Sequence, residues 1–324
     1  TNFAVGEINP ELRGRIDLQQ YESALERARN VICKPQGSVE RRPGLKYIYT
    51  VPSAASPSDG VRLVPFSFST TQTYMLLFSG TRMMVFKEGV QVTDINGGGN
   101  DYLDVSSSVG GVTDGITSAR LTNLWYTQSA DTLLLFEETM TPLKIVRGAN
   151  HAAWTVSDIS FDNVPQYAFT LATSNPSATL TPSAVTGEIT LTAGSSVFSS
   201  GHVGQFVESN DNFGRAKITR YVSGTEVKAT TEVAFFSTDA IASGSWTLET
   251  GYEAAWASSK GWPRCAVFHE GRLIVGGSQS LPSTVWGSRV GDYFDFDEGR
   301  ALDDEGMSAT IDTNQVNAIV GVFS

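Results

Sequence analysis

Arg41 and Arg42 stand side by side just before Pro43-Gly44, in a chain whose formal net charge is -11. Paired guanidinium groups suit bidentate hydrogen bonds to carboxylates or phosphates. Three roles fit that chemistry: a nucleic-acid grip, a catalytic pair, or a hook onto another protein. Arg13, Arg15, Asp17 and Gln36 lie close in sequence and belong to the same candidate surface. The pI near 4.8 argues against a broad DNA grip, because phosphate neutralisation needs clustered Lys and Arg. It leaves room for a duplex that passes nearby.

The remaining reactive residues form no known catalytic pattern. His269-Glu270-Gly271-Arg272 lacks the second His that a helical zinc-protease motif needs. His151, His202 and His269 are far apart. The acidic stretch of Asp292, Asp295, Asp297, Glu298, Asp303, Asp304 and Glu305 lacks the ligand spacing and central Gly of an EF-hand, and a solvated loop is expected. Ser237-Thr238-Asp239 begins like a sialidase turn, but Ile241 stands where Gly is required. Gly97-Gly98-Gly99 reads as a flexible turn, with neither a phosphate loop nor a nucleophile elbow elsewhere. The sequence therefore nominates no catalytic residue, no metal site and no cofactor.

The elements that must position the Arg pair begin with Asn9-Pro10-Glu11, a capped helix start. Asp17 reads as a second cap, with Leu18, Tyr21, Leu25 and Ala28 on one face of a short amphipathic helix. From Val61 the texture becomes strand-like. Leu63–Phe68, Tyr74–Phe78, Thr81–Lys87 and Val90–Asp94 form one set of four strands, with turns at Ser79-Gly80 and Glu88-Gly89. Leu124–Gln128, Thr132–Phe136, Pro142–Arg147 and Ala153–Ser157 form a second. Cys265–His269, Arg272–Gly276, Thr284–Ser288 and Tyr293–Phe296 form a third. The second strand of each set is the most apolar: YMLLF, TLLLF, RLIVG. Leu76, Leu134 and Ile274 align as equivalent buried positions. Four-stranded repeats predict β-propeller-like units, with a plain β-meander as the alternative.

Leu76 to Leu134 is 58 residues and Leu134 to Ile274 is 140, an excess of 82. The excess predicts an inserted small β-barrel or sandwich at 166–250, with a hairpin at Ser223-Gly224; one long decorated loop is the alternative. The expected organisation is an N-terminal helix and docking segment at 1–50, a β platform at 51–165, the insert at 166–250, and the platform continued at 251–324. That last stretch holds the third unit and, in the apolar "VNAIVGVFS", the start of a fourth. Cys33 and Cys265 are expected as buried thiols, with a disulfide not ruled out by the sequence. The longest apolar run, Tyr74–Phe78, falls far below the roughly 20 residues of a membrane span, and synthesis in a cytoplasm is expected.

Three stretches together resemble one family. Asn2-Phe3, Gly6-Glu7, Pro10-Glu11-Leu12, Gly14-Arg15-Ile16-Asp17, Tyr21, Pro35-Gln36-Gly37 and Arg41-Arg42-Pro43-Gly44 resemble the N-terminal signature of phage tail tubular protein B, the nozzle or stabilisation protein of short-tailed phages. Asn9 stands where that signature more often has Ser. Residues 261–296 resemble the family's second signature, and residues 314–319 resemble the family's next segment. The inserted region carries no such signature.

The resemblance implies a non-catalytic virion protein of the phage tail, assembled in the host cytoplasm. It implies six copies in a ring below the tail adaptor, around a channel that DNA crosses without specific binding. Tail fibres and the host envelope are further partners it suggests. The Arg41-Arg42 pair then hooks a neighbouring subunit or the adaptor ring, or else fixes its own turn by an intrachain salt bridge. Two rival functions come from other classes: a tail module whose insert recognises host glycan, and a propeller glycosidase.

Overall fold

The computed structural model describes residues 2–51, 60–170, 172–299, 302–312 and 317–324. Part of the third resembling stretch, residues 314–316, lies outside the described residues. The protein is mainly β, and the chain divides into two compact units, residues 1–50 and 51–324.

Among its described residues the smaller unit contains no amphipathic helix. Pro10–Leu12 and Tyr21–Ser23 are single 3-10 turns, and Ala24–Leu25 pairs in parallel with Gly6–Glu7. Asn9 does cap the first turn, accepting from Glu11 N at 2.9 Å. The Asp17 carboxylate is held by Arg15 and caps nothing. Leu18, Tyr21 and Leu25 stay half-buried, so no packed face repays the cost of nucleating so short a helix. Val31–Cys33 and Val39–Arg41 form an antiparallel ribbon. Gly37 is the only buried residue among those described in this unit. These residues have hydrogen bonds but no hydrophobic core.

In the larger unit the first sheet contains Arg62–Ser67, Thr73–Ser79, Arg82–Lys87 and Val90–Gln91, with Leu103–Asp104 also on Arg82–Lys87. The second contains Trp125–Ser129, Thr132–Glu137, Met140–Arg147 and Trp154–Asp158. The third contains Cys265–His269, Arg272–Gly276, Thr284–Gly287 and Met307–Thr310. The tight turns follow local chemistry. Glu88-Gly89 and Glu270-Gly271 all adopt positive φ, as a two-residue hairpin with the correct twist requires.

The three sheets stack, and this explains the doubly apolar second strand. Leu133 and Leu135 share a core with Val64, Leu76 and Val85 of the first sheet. Leu134 and Phe136, pointing the other way, share a core with Leu273, Val275 and Trp286 of the third. The initial strands lie side by side. Gln128 bonds the Ser67 backbone through both its amide atoms, at 3.0 and 2.8 Å, and Trp125 Nε1 donates to Ala266 O at 2.7 Å. Among the described residues these three sheets close no ring.

Two strand expectations differ from the structure. The fourth strand of the third sheet is Met307–Thr310, not Tyr293–Phe296. Phe296 is instead drawn into an aromatic cluster, edge-on to Trp256 at 4.8 Å and beside Phe161. Its N–H donates to Asn163 O, and the neighbouring Asp295 accepts from Asn163 Nδ2. Residues 317–324 take no strand. Ile319 N donates to Pro282 O, and Phe323 stacks edge-on to Trp125. Leu76 and Leu134 are buried, whereas Ile274 is half-buried and Leu273 and Val275 fill the core. In RLIVG the buried face is one residue out of phase with the alignment on Ile274.

Residues 173–249 form a single seven-stranded sheet, not a closed barrel or a two-sheet sandwich. Its spatial order is Thr173–Ser174, Trp246–Glu249, Phe206–Ser209, Arg215–Ser223, Glu226–Val233, Glu188–Ala193 and Leu180–Pro182. The tight loop is Gly224-Thr225, since Ser223 pairs with Glu226. The sheet folds over a core of its own, centred on Leu191, Val207, Ile218, Val227 and Trp246. An antiparallel ribbon, Gln166–Ala168 with Tyr252–Ala254, carries both connections. Residues 166–250 expressed alone are therefore expected to be soluble and to unfold cooperatively. A non-cooperative melt with random-coil circular dichroism would count against an autonomous fold.

The 3-10 turn Ser200–His202 of the inserted region also carries a pH dependence. His202 Nδ1 accepts from Ser199 N at 3.2 Å, and burial holds the imidazole below its ordinary pKa. The unfolded chain then takes up a proton more readily than the folded one. Stability present near neutral pH should fall as pH drops below about 6.5, and His202→Gln should flatten that slope. Thermal melts between about pH 7 and pH 5 measure it; identical slopes would show that His202 is not the group responsible.

Candidate assembly surface

Several residues of the N-terminal unit hold one another. Gly37, at φ +88, leaves room for Asn2, whose Oδ1 would lie 2.1 Å from any Cβ placed there. Phe3 N donates to Gly37 O at 2.9 Å. Glu7 Oε2 accepts from Ala28 N, and Tyr21 Oη accepts from Gly14 N. Asn2, Phe3 and Gly37, and likewise Gly14 and Tyr21, are thus held together within the chain.

Four of the six nominated surface residues are committed to separate contacts within the chain. Arg15 grips Asp17 through two hydrogen bonds, at 2.8 and 2.7 Å. That contact raises the Arg15 pKa and lowers that of Asp17. Both groups are exposed, so the pair orients the turn more than it stabilises the fold. Arg13 bridges Glu26 at 3.3 Å. Arg42 Nε donates to Asn30 Oδ1 at 2.8 Å, and its own N–H to Asn30 O. Asn30 takes positive φ, which Asn tolerates, and so closes the ribbon. Arg42 is tied within the chain, though by a side-chain amide and not a salt bridge.

Arg41 differs. Among the described residues neither Arg41 nor Gln36 has a side-chain partner, and Arg27 and Arg29 are likewise unpaired. Residues 1–50 hold eight Lys and Arg against six Asp and Glu; residues 51–324 hold fifteen against twenty-eight. Beyond the ribbon, residues 43–48 run without any sheet, and Leu45 and Tyr47 are 91% and 73% exposed. The apolar alternation of Leu45, Tyr47 and Tyr49 reads as a strand, but pairing depends on a partner that the local pattern does not specify. That residues 43–48 join no sheet among the described residues had no signal in the sequence.

The histidines are not brought together. His151 contacts Tyr74 Oη at 2.5 Å, His202 lies in the 3-10 turn Ser200–His202 of the inserted region, and His269 contacts Ser324 Oγ. Cys265 is buried, its thiol pushed up to about 11 by desolvation, and Cys33 is a half-buried free thiol. Several carboxylates of the acidic stretch bind loop backbone: Asp295 accepts from Asp297 N, and Asp297 from Gly299 N. A cleft of about 680 Å³ lies at the base of the inserted sheet. Asp162, Glu253, Asp297 and Glu298 line it, with Lys217 and Tyr252.

No family model matches the chain, and no curated protein matches it.

Proposed function

We propose that this chain is a structural subunit of the nozzle ring of a short phage tail, where six copies form the distal conduit for genome ejection. The observation that supports it most is the division of chemistry along the chain. A coreless cationic unit, with an Arg41 that has no side-chain partner among the described residues and with an exposed apolar arm, is joined to an acidic β platform. Such a unit is stabilised by what it docks onto, as a ring interface or the adaptor ring above would provide. The acidic platform repels a passing duplex, which lowers binding and suits a conduit. The role is non-catalytic, and its site is the virion. The resemblance of residues 2–44 to the nozzle signature points the same way.

Particle mass with a negative-stain end view tests the proposal. A six-fold ring with a central channel is the expected result; a monomer, or an open filament, would overturn it.

A second function attaches to the cleft beneath the inserted sheet. Its carboxylates, Tyr252 and Lys217 are groups suited to hydrogen-bonding and stacking with sugars. Glycan-array binding by the full chain, lost in Tyr252→Ala, would favour a receptor-binding module.

A further inference from the structure

The most exposed apolar segment and the open edge of the third sheet have complementary chemistry. Met307–Thr310 is the outer strand of that sheet and is exposed along its whole length. Gly277 N donates to Thr284 O, and Ile311 N to Ser283 O. The alternation of an antiparallel ladder then turns the backbone of Met307 and Ala309 inward, onto Gly287 and Val285. The N–H and C=O groups of Ser308 and Thr310 face the open edge. The second sheet blocks its own outer edge differently: Asn96 bonds both Trp154 N and Trp154 O, at 2.9 and 2.7 Å. Nothing among the described residues does the same for Ser308 and Thr310. An exposed edge with no such block is a template for another strand.

The surroundings of that edge match the arm. Leu302, Met307 and Ile311 are exposed apolar residues, and Asp303, Asp304 and Asp312 carry no side-chain partner among the described residues. The arm offers Leu45, Tyr47 and Ile48 with Arg41 and Lys46, and residues 43–48 make no backbone hydrogen bond among the described residues. Among the described residues both segments have backbone groups without partners, together with apolar side chains and opposite charge, as suits strand addition.

We infer that residues 43–48 of one copy add as a fifth strand to Met307–Thr310 of a second copy. That the sheet belongs to another copy rests on the ring assignment above. The contact is head-to-tail: each chain gives an arm and receives one. Such an interface closes into a ring or, if the rotation does not close, runs on as a filament.

A mixing experiment on the full chain tests this by mass measurement. Leu45→Asp combined with Tyr47→Asp damages the arm and leaves the edge intact. Ser308→Pro removes an outward-facing N–H and leaves the inward ladder bonds of Met307 and Ala309 in place. Each variant alone is expected to be monomeric, with a melting temperature near that of the unmodified chain. Mixed, they should form dimers and nothing larger, because only one intact arm-edge pair remains. If Ser308→Pro proves unfolded, Thr310→Pro serves in its place. Rings formed normally by the arm variant would overturn the inference while leaving the nozzle proposal standing. Filaments of the unmodified chain that disappear in the arm variant would support the inference and overturn the nozzle proposal. A monomeric unmodified chain would overturn both.

Discussion

Leu76→Ala and Leu134→Ala are each expected to lower the unfolding free energy by about 2–5 kcal/mol, measured by urea denaturation. Leu76 is fully buried between the first and second sheets. Leu134 is equally enclosed on the opposite face of the second sheet, against the third. Each truncation removes apolar contacts and leaves a cavity that stacked sheets cannot readily collapse, since sheet spacing is set by many other side chains. Ile274→Ala should cost less than about 2 kcal/mol, because that residue is only half-buried. Losses below about 0.5 kcal/mol for both Leu variants would show that the second sheet is not packed on its two faces. Leu134→Ala is the more telling of the pair, since it reports only on the contact to the third sheet.

On the nozzle-ring proposal, Arg41→Glu is expected to abolish assembly and leave the thermal melt unchanged. Among the described residues Arg41 spends no side-chain hydrogen bond or ion pair within the chain, so the fold has little to lose from its reversal. In an interface, breaking a desolvated charge pair from one side costs about 2–5 kcal/mol, and a ring repeats that cost at every junction. Arg42→Glu should behave differently. Losing its bond to Asn30 costs about 1 kcal/mol locally, and faster hydrogen exchange in Val31–Cys33 would report it. Particle mass and infectivity beside melts of both variants separate the roles. Normal particles from Arg41→Glu would remove this residue from the interface. Loss of the fold would show that Arg41, like Arg42, supports its own turn.

The mainly β class, the hairpin turn at Glu88-Gly89 and the apolar second strands were all legible in the sequence. Each is a local property: a side-chain period of two, or a turn that requires positive φ. The candidate surface was legible only as a cluster of residue types. Which Arg is free depended on Asn30, twelve residues from Arg42, and on Glu26, thirteen from Arg13. Tertiary structure alone decided which sheet Leu133 and Leu134 each face, because Leu133 packs on strands well upstream of it and Leu134 on strands more than a hundred residues downstream. It also decided against the helix starting at Asp17, where the amphipathic spacing was present but no core was available to cover it. Tyr293–Phe296 had the alternation of a strand, yet its aromatic rings gained more from Trp256 and Phe161 than from an edge position, and the distant Met307–Thr310 took that place.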